Sequence, residues 1–259
     1  MQLSVVILAI NEADHLAACI ESAAALLAPP DGELVVLLDA RATTAVEAVA
    51  RRATERVYRS EFINFSAQRN RGLALAQGAW VLFLDPDERV TPALAREIPA
   101  TLAAPGDCAG YWVARRTFMF GHEVRHTGWW PDYQMRLLRR DLARYDEARA
   151  VHELPLIPED RQARLQAPLI HYNYATWRQF AAKQRYYADY EARAQHARGI
   201  RAKPRNFVLQ PWREFRRRFI TLGGWKDGPL GLLLSLALAY YTCRMYLTLA
   251  RLGRGPRGN

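Results

Sequence analysis

The feature that most constrains this chain is the alternation, over its first hundred residues, of continuous β-rich runs with stretches of helical spacing. Leu3 to Ile10, Leu34 to Leu38, Val57-Tyr58 and Trp80 to Leu84 read as strands. His15 to Leu27, Thr44 to Ala53, Phe65 to Ala76 and Pro92 to Leu102 read as helices, the first stopped by Pro29-Pro30 and the third closed by Gly78. The strand runs do not alternate polar with apolar residues, so both of their faces are buried, as in a parallel sheet covered by helices on each side. Ligands of such sheets bind beyond the carboxyl ends of the strands. The segments that end three strands, Ala9 to Glu12, Asp39 and Asp85 to Glu88, are therefore expected along one edge.

Further on the pattern changes. Gly110 to Phe120, Gln134 to Arg140 and Ala167 to Tyr172 read as strands, with the aromatic Gly121 to Tyr133 between the first two, and Thr176 to Arg198 reads as a polar, aromatic-rich helix. We expect an α/β domain over residues 1–172 and a helical region over 173–259. Charge follows the same division. The formal net charge is +10, yet residues 1–104 hold 9 basic and 13 acidic groups, while residues 201–259 hold 12 and 2. The second part is built to face something anionic. Three widely spaced cysteines, Cys19, Cys108 and Cys243, argue against a disulfide scaffold or a zinc ribbon and for a reducing compartment. Residues 1–10 have no basic n-region and run into Asn11-Glu12, which fits a first strand rather than a signal peptide. Asn11-Glu12-Ala13 also stands where a dinucleotide-binding dehydrogenase needs a Gly-rich phosphate loop.

Two carboxylates, Asp85 and Asp87, follow a buried strand two residues apart. Hard oxygens so placed can hold Mg²⁺ or Mn²⁺ shared with a diphosphate. The bland alternative is an acidic cap on the helix that starts near Thr91, and Asp39 admits the same alternative for the helix after it.

Read in order, Asn11-Glu12, Asp39, Gln68-Arg69-Asn70-x-Gly72 and the D-x-D at Asp85 resemble the family 2 glycosyltransferases, inverting enzymes of the GT-A fold, a Rossmann-like nucleotide-sugar-binding domain. Trp129 to Leu137, Val151-His152-Glu153, His171-Tyr172 and Asp227-Gly228-x-x-Gly231 resemble the bacterial lipopolysaccharide core glucosyltransferases of that family, which extends the resemblance over nearly the whole chain. The resemblance implies that Asp39 accepts a hydrogen bond from the nucleotide base. By the same token Ala9, Asn11, Glu12, Gln68, Arg69, Asn70, Asp85 and Arg136 line the donor site, and Asp85 and Asp87 hold the divalent cation with His152 or His171 as an added ligand. An inverting transfer needs a carboxylate to take the acceptor's proton. Asp132, with Arg136 four residues on, is the closest match to that base, and Glu153 is the reserve. Two departures stand out: Ala40-Arg41-Ala42-Thr43-Thr44 replaces a hydroxyl-rich Ser/Gly/Thr-Asp turn, and Pro131 replaces a Glu.

The activity so implied moves a hexose from a UDP-sugar to a lipid-linked glycan such as lipopolysaccharide core. A polyprenyl phosphate acceptor is the alternative within the fold. A nucleic-acid-binding protein is the alternative outside catalysis, disfavoured because no DNA or RNA module is recognisable. At the C-terminal end, Trp212, Phe215 and Phe219 interleave with Arg213, Arg216, Arg217 and Arg218, and 14 uncharged residues from Leu230 to Cys243 precede Arg244. That run is shorter than the about 20 residues of a bilayer span, so we expect peripheral attachment to an anionic membrane surface, at the cytoplasmic face of the inner membrane.

Overall fold

A computed structural model describes residues 2–28, 31–148 and 154–253. The first half runs β1 (Leu3–Ala9), α1 (Ala13–Ala23), β2 (Gly32–Asp39), α2 (Thr44–Ala53), β3 (Val57–Ser60), α3 (Phe65–Leu75), β4 (Trp80–Leu84), β5 (Glu88–Val90) and α4 (Pro92–Ala103). There follow β6 (Gly110–Met119), β7 (His122–Val124), β8 (Asp132–Arg139), β9 (Gln162–Arg164) and β10 (Leu169–Tyr174). The sheet order is β3-β2-β1-β4-β8-β6-β10-β5, with β7 and β9 paired to β6. The pairs β3-β2, β2-β1 and β1-β4 are parallel, as the buried runs require, and β8 adds to β4 antiparallel. The result is a mixed α/β sheet whose parallel half carries the expected edge.

Local chemistry explains the elements that reach this edge. Thr43, Asn64 and Thr91 are the N-caps of α2, α3 and α4, their side chains accepting from the N–H groups of Val46, Ala67 and Leu94. Asp39, Asp85 and Asp87 are thus not needed as helix caps. Gly72 lets α3 lie close on the sheet: a Cβ there would sit 2.9 Å from both the Phe83 ring and Val6 Cγ1. Beneath the edge, Val6, Val35, Val81 and Phe83 pack against Leu73, while Val5, Ile7, Leu82 and Leu84 face Leu16, Leu94 and Ile98.

The chain forms two compact units, one of Met1–Arg115 with Asp132–His171 and one of Arg116–Pro131 with Tyr172–Asn259. The second is mainly helical: α5 (Trp177–Ala197), opened by a Thr176/Gln179 capping box, α6 (Asn206–Phe215), a π-helical continuation Arg216–Thr221, a short 3₁₀ turn and α7 (Gly228–Leu252). Asp227 ties this unit together by accepting from the Arg125, His126 and Thr127 segment at 2.9 to 3.2 Å. The glycines of its D-G-x-x-G motif have structural work: Gly228 has φ +62°, and a Cβ on Gly231 would collide with the Gly224 carbonyl. With 25 residues, α7 is longer than its uncharged run suggests, because Arg244 is accommodated by Asp189 of α5 at 3.1 Å. Among the described residues, the helical stretch Gly224–Leu252 that contains α7 is long and apolar enough, by length and composition, to cross a membrane.

Candidate active site

Beyond β4, Asp85-Pro86-Asp87-Glu88 turns back into β5, with the Glu88 N–H donating to the Asp85 carbonyl (2.9 Å) and the Asp85 N–H to Glu88 Oε2 (3.0 Å). Glu88 is fully buried, and its Oε1 accepts from Arg136 Nη2 (2.6 Å) and Arg115 Nη1 (3.2 Å). Arg136, on β8 and only 3% exposed, also pairs with Asp85. Arg69, on α3, approaches the other Asp85 oxygen at 3.6 Å and lies over the Phe83 ring at 5.2 Å. From Glu88 the network continues through Arg115 of β6 to Asp132 at the start of β8, where Arg115 Nε donates to Oδ2 (2.9 Å) and Gln134 Nε2 to Oδ1 (2.9 Å).

Three guanidiniums, those of Arg69, Arg115 and Arg136, thus face three carboxylates, those of Asp85, Glu88 and Asp132. Burial pushes the Asp85 carboxyl up, but the charges of Arg136, Arg69 and Arg115 outweigh it and hold Asp85 well below the usual carboxylate range. Burial likewise works against the Arg136 cation, and Asp85 and Glu88 more than offset it. The site is therefore an ionised, charge-balanced lattice, in which removing one member strands a buried partner.

Asp87 has a different neighbour. The antiparallel pairing of β10 with β5 sets His171 beside Glu88, and His171 Nε2 lies 3.5 Å from Asp87 Oδ2. His171 is buried and its Nδ1 has no hydrogen-bond partner. Among the described residues, no three acidic, histidine or cysteine side chains converge into a ready-made metal cage. A carboxylate with an imidazole nevertheless fits a Mg²⁺ or Mn²⁺ ion that completes its shell with phosphate oxygens and water. Asp85 fits such a role less well, since two arginines already occupy its oxygens.

At the ends of β1 and β2, Leu8, Ala9, Leu37, Phe62 and Phe65 line a cavity of about 190 Å³ together with Asp39, Arg41 and Gln68. Gln68 is fixed by donating Nε2 to the Glu61 carbonyl (2.7 Å). Asn11 and Glu12 follow β1 and are exposed, with the Asn11 N–H bonded to Glu12 Oε2 (3.0 Å). Asn70 points elsewhere: its amide donates to the Tyr145 carbonyl (3.0 Å) and accepts from the Tyr145 N–H (2.8 Å), so it secures the 145–147 segment. A second, polar cavity of about 330 Å³ is lined by Arg69, Trp112, Tyr133, Gln134, Arg136 and Tyr145, among others. His152 and Glu153 lie outside the described residues.

The structure thus brings Arg69, Asp85, Arg136 and Asp132 into one network, with Asp87 of the same turn paired separately with His171 of β10. Sequence reasoning put Glu88 on the edge without giving it a role and left Arg115 out of the site. The available signals were a third acidic residue directly after D-x-D and a pair of arginines, Arg115-Arg116, inside an otherwise apolar strand.

The fold and this edge define a GT-A-type nucleotide-sugar-dependent glycosyltransferase. Residues 4–182 match the family described as Glycosyl transferase family 2, and the chain belongs to that family. It is 26% identical, over 97% of its length and 92% of the other's, to the lipopolysaccharide core biosynthesis glycosyltransferase LpsC of Rhizobium meliloti (strain 1021). Among solved structures it resembles the mannosyltransferase PcManGT from Pyrobaculum calidifontis in complex with GDP-Man and Mn²⁺ (TM-score 0.50, 15% identity, 98% of this chain and 86% of that one). It also resembles S. aureus TarS 1-349 in complex with UDP (TM-score 0.47, 14% identity, 99% and 91%).

Proposed function

We propose that this protein transfers a hexose from a UDP-sugar, with inversion, to a hydroxyl of a lipid-linked glycan of the lipopolysaccharide core type. The observation that carries the reading is the ion network running from Asp85 through Arg136, Glu88 and Arg115 to Asp132, and in this reading Asp85 faces the donor and Asp132 is the base that faces the acceptor. The end-to-end similarity to LpsC supports the acceptor class. In the reaction, the acceptor oxygen bonds to the anomeric carbon while the bond from that carbon to the diphosphate oxygen breaks, its electron pair leaving with the diphosphate. The hydroxyl proton passes to Asp132, whose Oδ1 keeps a lone pair beyond its bond from Gln134. Asp87 and His171 are the residues that would hold Mg²⁺ or Mn²⁺, and a bound ion supplies positive charge against the departing diphosphate. Arg136 and Arg69 keep Asp85 ionised and oriented.

The helical unit, and with it the 173–259 region, serves membrane attachment in this reading. One stripe of α7 (Gly231, Leu234, Ser235, Leu238, Met245, Leu249) is buried, and another (Leu232, Leu233, Leu236, Tyr240, Leu247) is exposed. On α6, Val208, Leu209 and Trp212 are exposed beside Arg213 and Arg216. An apolar face edged by cations suits a helix lying in the interface of an anionic bilayer.

The test is incubation of the purified protein with a panel of nucleotide sugars, with a truncated lipopolysaccharide core as acceptor, in Mn²⁺ and in excess chelator. Transfer from a UDP-hexose with inverted configuration, abolished by chelator, is the expected result. Transfer to polyprenyl phosphate alone would replace the acceptor class, and full activity in chelator would remove the metal from the reading.

A further inference from the structure

The turn after β2 is where this chain departs from the hydroxyl-rich pattern, and the structure gives the replacement a specific geometry. The Asp39 carboxylate, 7% exposed, is gripped by Arg41 two residues on: the Arg41 N–H and Nε–H both donate to Oδ1 (2.8 and 2.9 Å), and Nη2–H donates to Oδ2 (2.9 Å). The backbone beneath this grip is held in place. The Ala42 N–H bonds to the Asp39 carbonyl (2.9 Å), the Ala40 N–H to Ser60 (2.9 Å), and Arg59 Nη1 donates to the Ala40 carbonyl (3.0 Å). The hydrogen bond from Arg41 outweighs burial and keeps Asp39 below the usual carboxylate range, so at neutral pH it only accepts. Asp39 and Arg41 both line the apolar cavity at the end of β1 and β2.

A carboxylate offers about four acceptor positions, two on each oxygen. Here Oδ1 is filled and Oδ2 has one left. Uracil presents one ring N–H between two carbonyls, and needs one such position. Guanine presents a ring N–H and an amino N–H side by side, and its paired recognition by a carboxylate needs one position on each oxygen. From this we infer that Arg41 selects the donor's base, leaving Asp39 able to satisfy the single N–H of a uracil but not the N–H pair of a guanine. The guanidinium also remains beside the open position as a donor to a carbonyl that flanks the uracil N–H. The inference rests on the proposed UDP-sugar donor, with Asp39 as the acceptor of its base and this cavity as the base pocket, and goes beyond that reading by assigning nucleotide choice to a residue whose own side chain is 71% exposed. A buried donor left unpaired against a filled acceptor is the strongest kind of rejection a polar site can exert.

The experiment is calorimetric titration of UDP and of GDP, each with Mn²⁺, into the wild-type protein, Arg41→Met and Arg41→Ala. Met keeps most of the aliphatic stem and removes every side-chain donor, leaving only the backbone N–H on Oδ1. The wild type should bind UDP at least about tenfold more tightly than GDP, and Arg41→Met should narrow the ratio to about threefold or less, chiefly by tightening GDP. An unchanged ratio in Arg41→Met overturns the inference. So does narrowing in Arg41→Ala alone, which would mean that cavity size and not acceptor capacity discriminates, and so does a wild type that prefers GDP. Absence of binding by either nucleotide to a wild type that melts cooperatively would instead fail the base-pocket reading, and the inference with it.

Discussion

Arginine is the dominant cation in both units, but they engage it in opposite ways. At the sheet edge Arg69, Arg115 and Arg136 are withdrawn from water and matched against Asp85, Glu88 and Asp132. In the helical unit the four arginines of 213–218 divide. Arg217 and Arg218 are paired with Glu214, and Arg218 also donates to the Thr127 carbonyl (2.7 Å), whereas Arg213 and Arg216 make no ion pair among the described residues. Arg244 is paired with Asp189 instead of reaching for lipid phosphate. Formal charge therefore overstates how much cation this unit can present to a bilayer, and its exposed Trp212 and Leu236 carry more of the expected attachment than a count of arginines implies.

The contrast is sharpest in stability. Arg136→Ala should cost about 3–5 kcal/mol in urea unfolding, because it leaves the buried carboxylate of Glu88 with only the longer contact to Arg115 and Asp85 with only Arg69. Arg216→Ala, at an exposed position, should stay within about 0.5 kcal/mol. Equal effects would erase the distinction between the two arginine populations. In activity, Asp132→Asn should lower transfer by about 10² or more with UDP binding retained. Retained transfer would mean that the Arg115-Asp132 pair is structural and that the base lies elsewhere.

Acid should act on both units in the same sense. Asp85 is held below its ordinary range, and hydrogen bonds from Arg116, opposed by burial and reinforced by Arg125, bring Glu123 down to about 2. For groups depressed in the folded state, the stabilisation is complete above their unfolded values and is lost as protons bind the native carboxylates. Urea midpoints should thus hold steady near neutrality and fall as pH drops from about 5 towards 2. A midpoint unchanged down to pH 3 would show that neither set of pairs matters. A smaller effect belongs to the membrane. Arg213→Gln with Arg216→Gln should weaken binding to anionic vesicles by about 1 kcal/mol per residue at low salt and by less at high salt. Leu236→Gln should weaken it at either salt concentration, and retention of the wild type under both high salt and alkaline carbonate would mean that α7 spans the bilayer.

The parallel half of the fold was legible because a strand buried on both faces leaves a continuous apolar run, and β1, β2 and β4 fall within about two residues of the expected limits. The three-residue strands β5, β7 and β9 were not, since so short a segment carries no periodicity. Two of the six members of the ion network went unassigned for a different reason, the order of the sheet. Glu88 and Arg115 meet Arg136 only because β8 inserts between β4 and β6, a long-range arrangement no local pattern announces. Motifs were easier to see than to interpret. Gly72 is a packing contact, Asn70 a clamp on Tyr145, and the glycines at 228 and 231 shape a helix start.

The helical unit is discontinuous in sequence, since it takes in Arg116–Pro131 as well as the chain from Tyr172 onward, and β6 and β10 each change unit partway along their length. No single cut of the gene yields either unit whole. A fragment ending at residue 172 would keep Met119, Val124 and Trp129 while losing Phe180, Leu234 and Leu238, which pack with them. Such a fragment would be expected to stick to membranes and to itself through a newly bared apolar surface. Deletion mapping, the usual first resort for finding an anchor, would therefore report adhesion where it had destroyed the anchor, and point substitutions on an intact chain are the sounder tool.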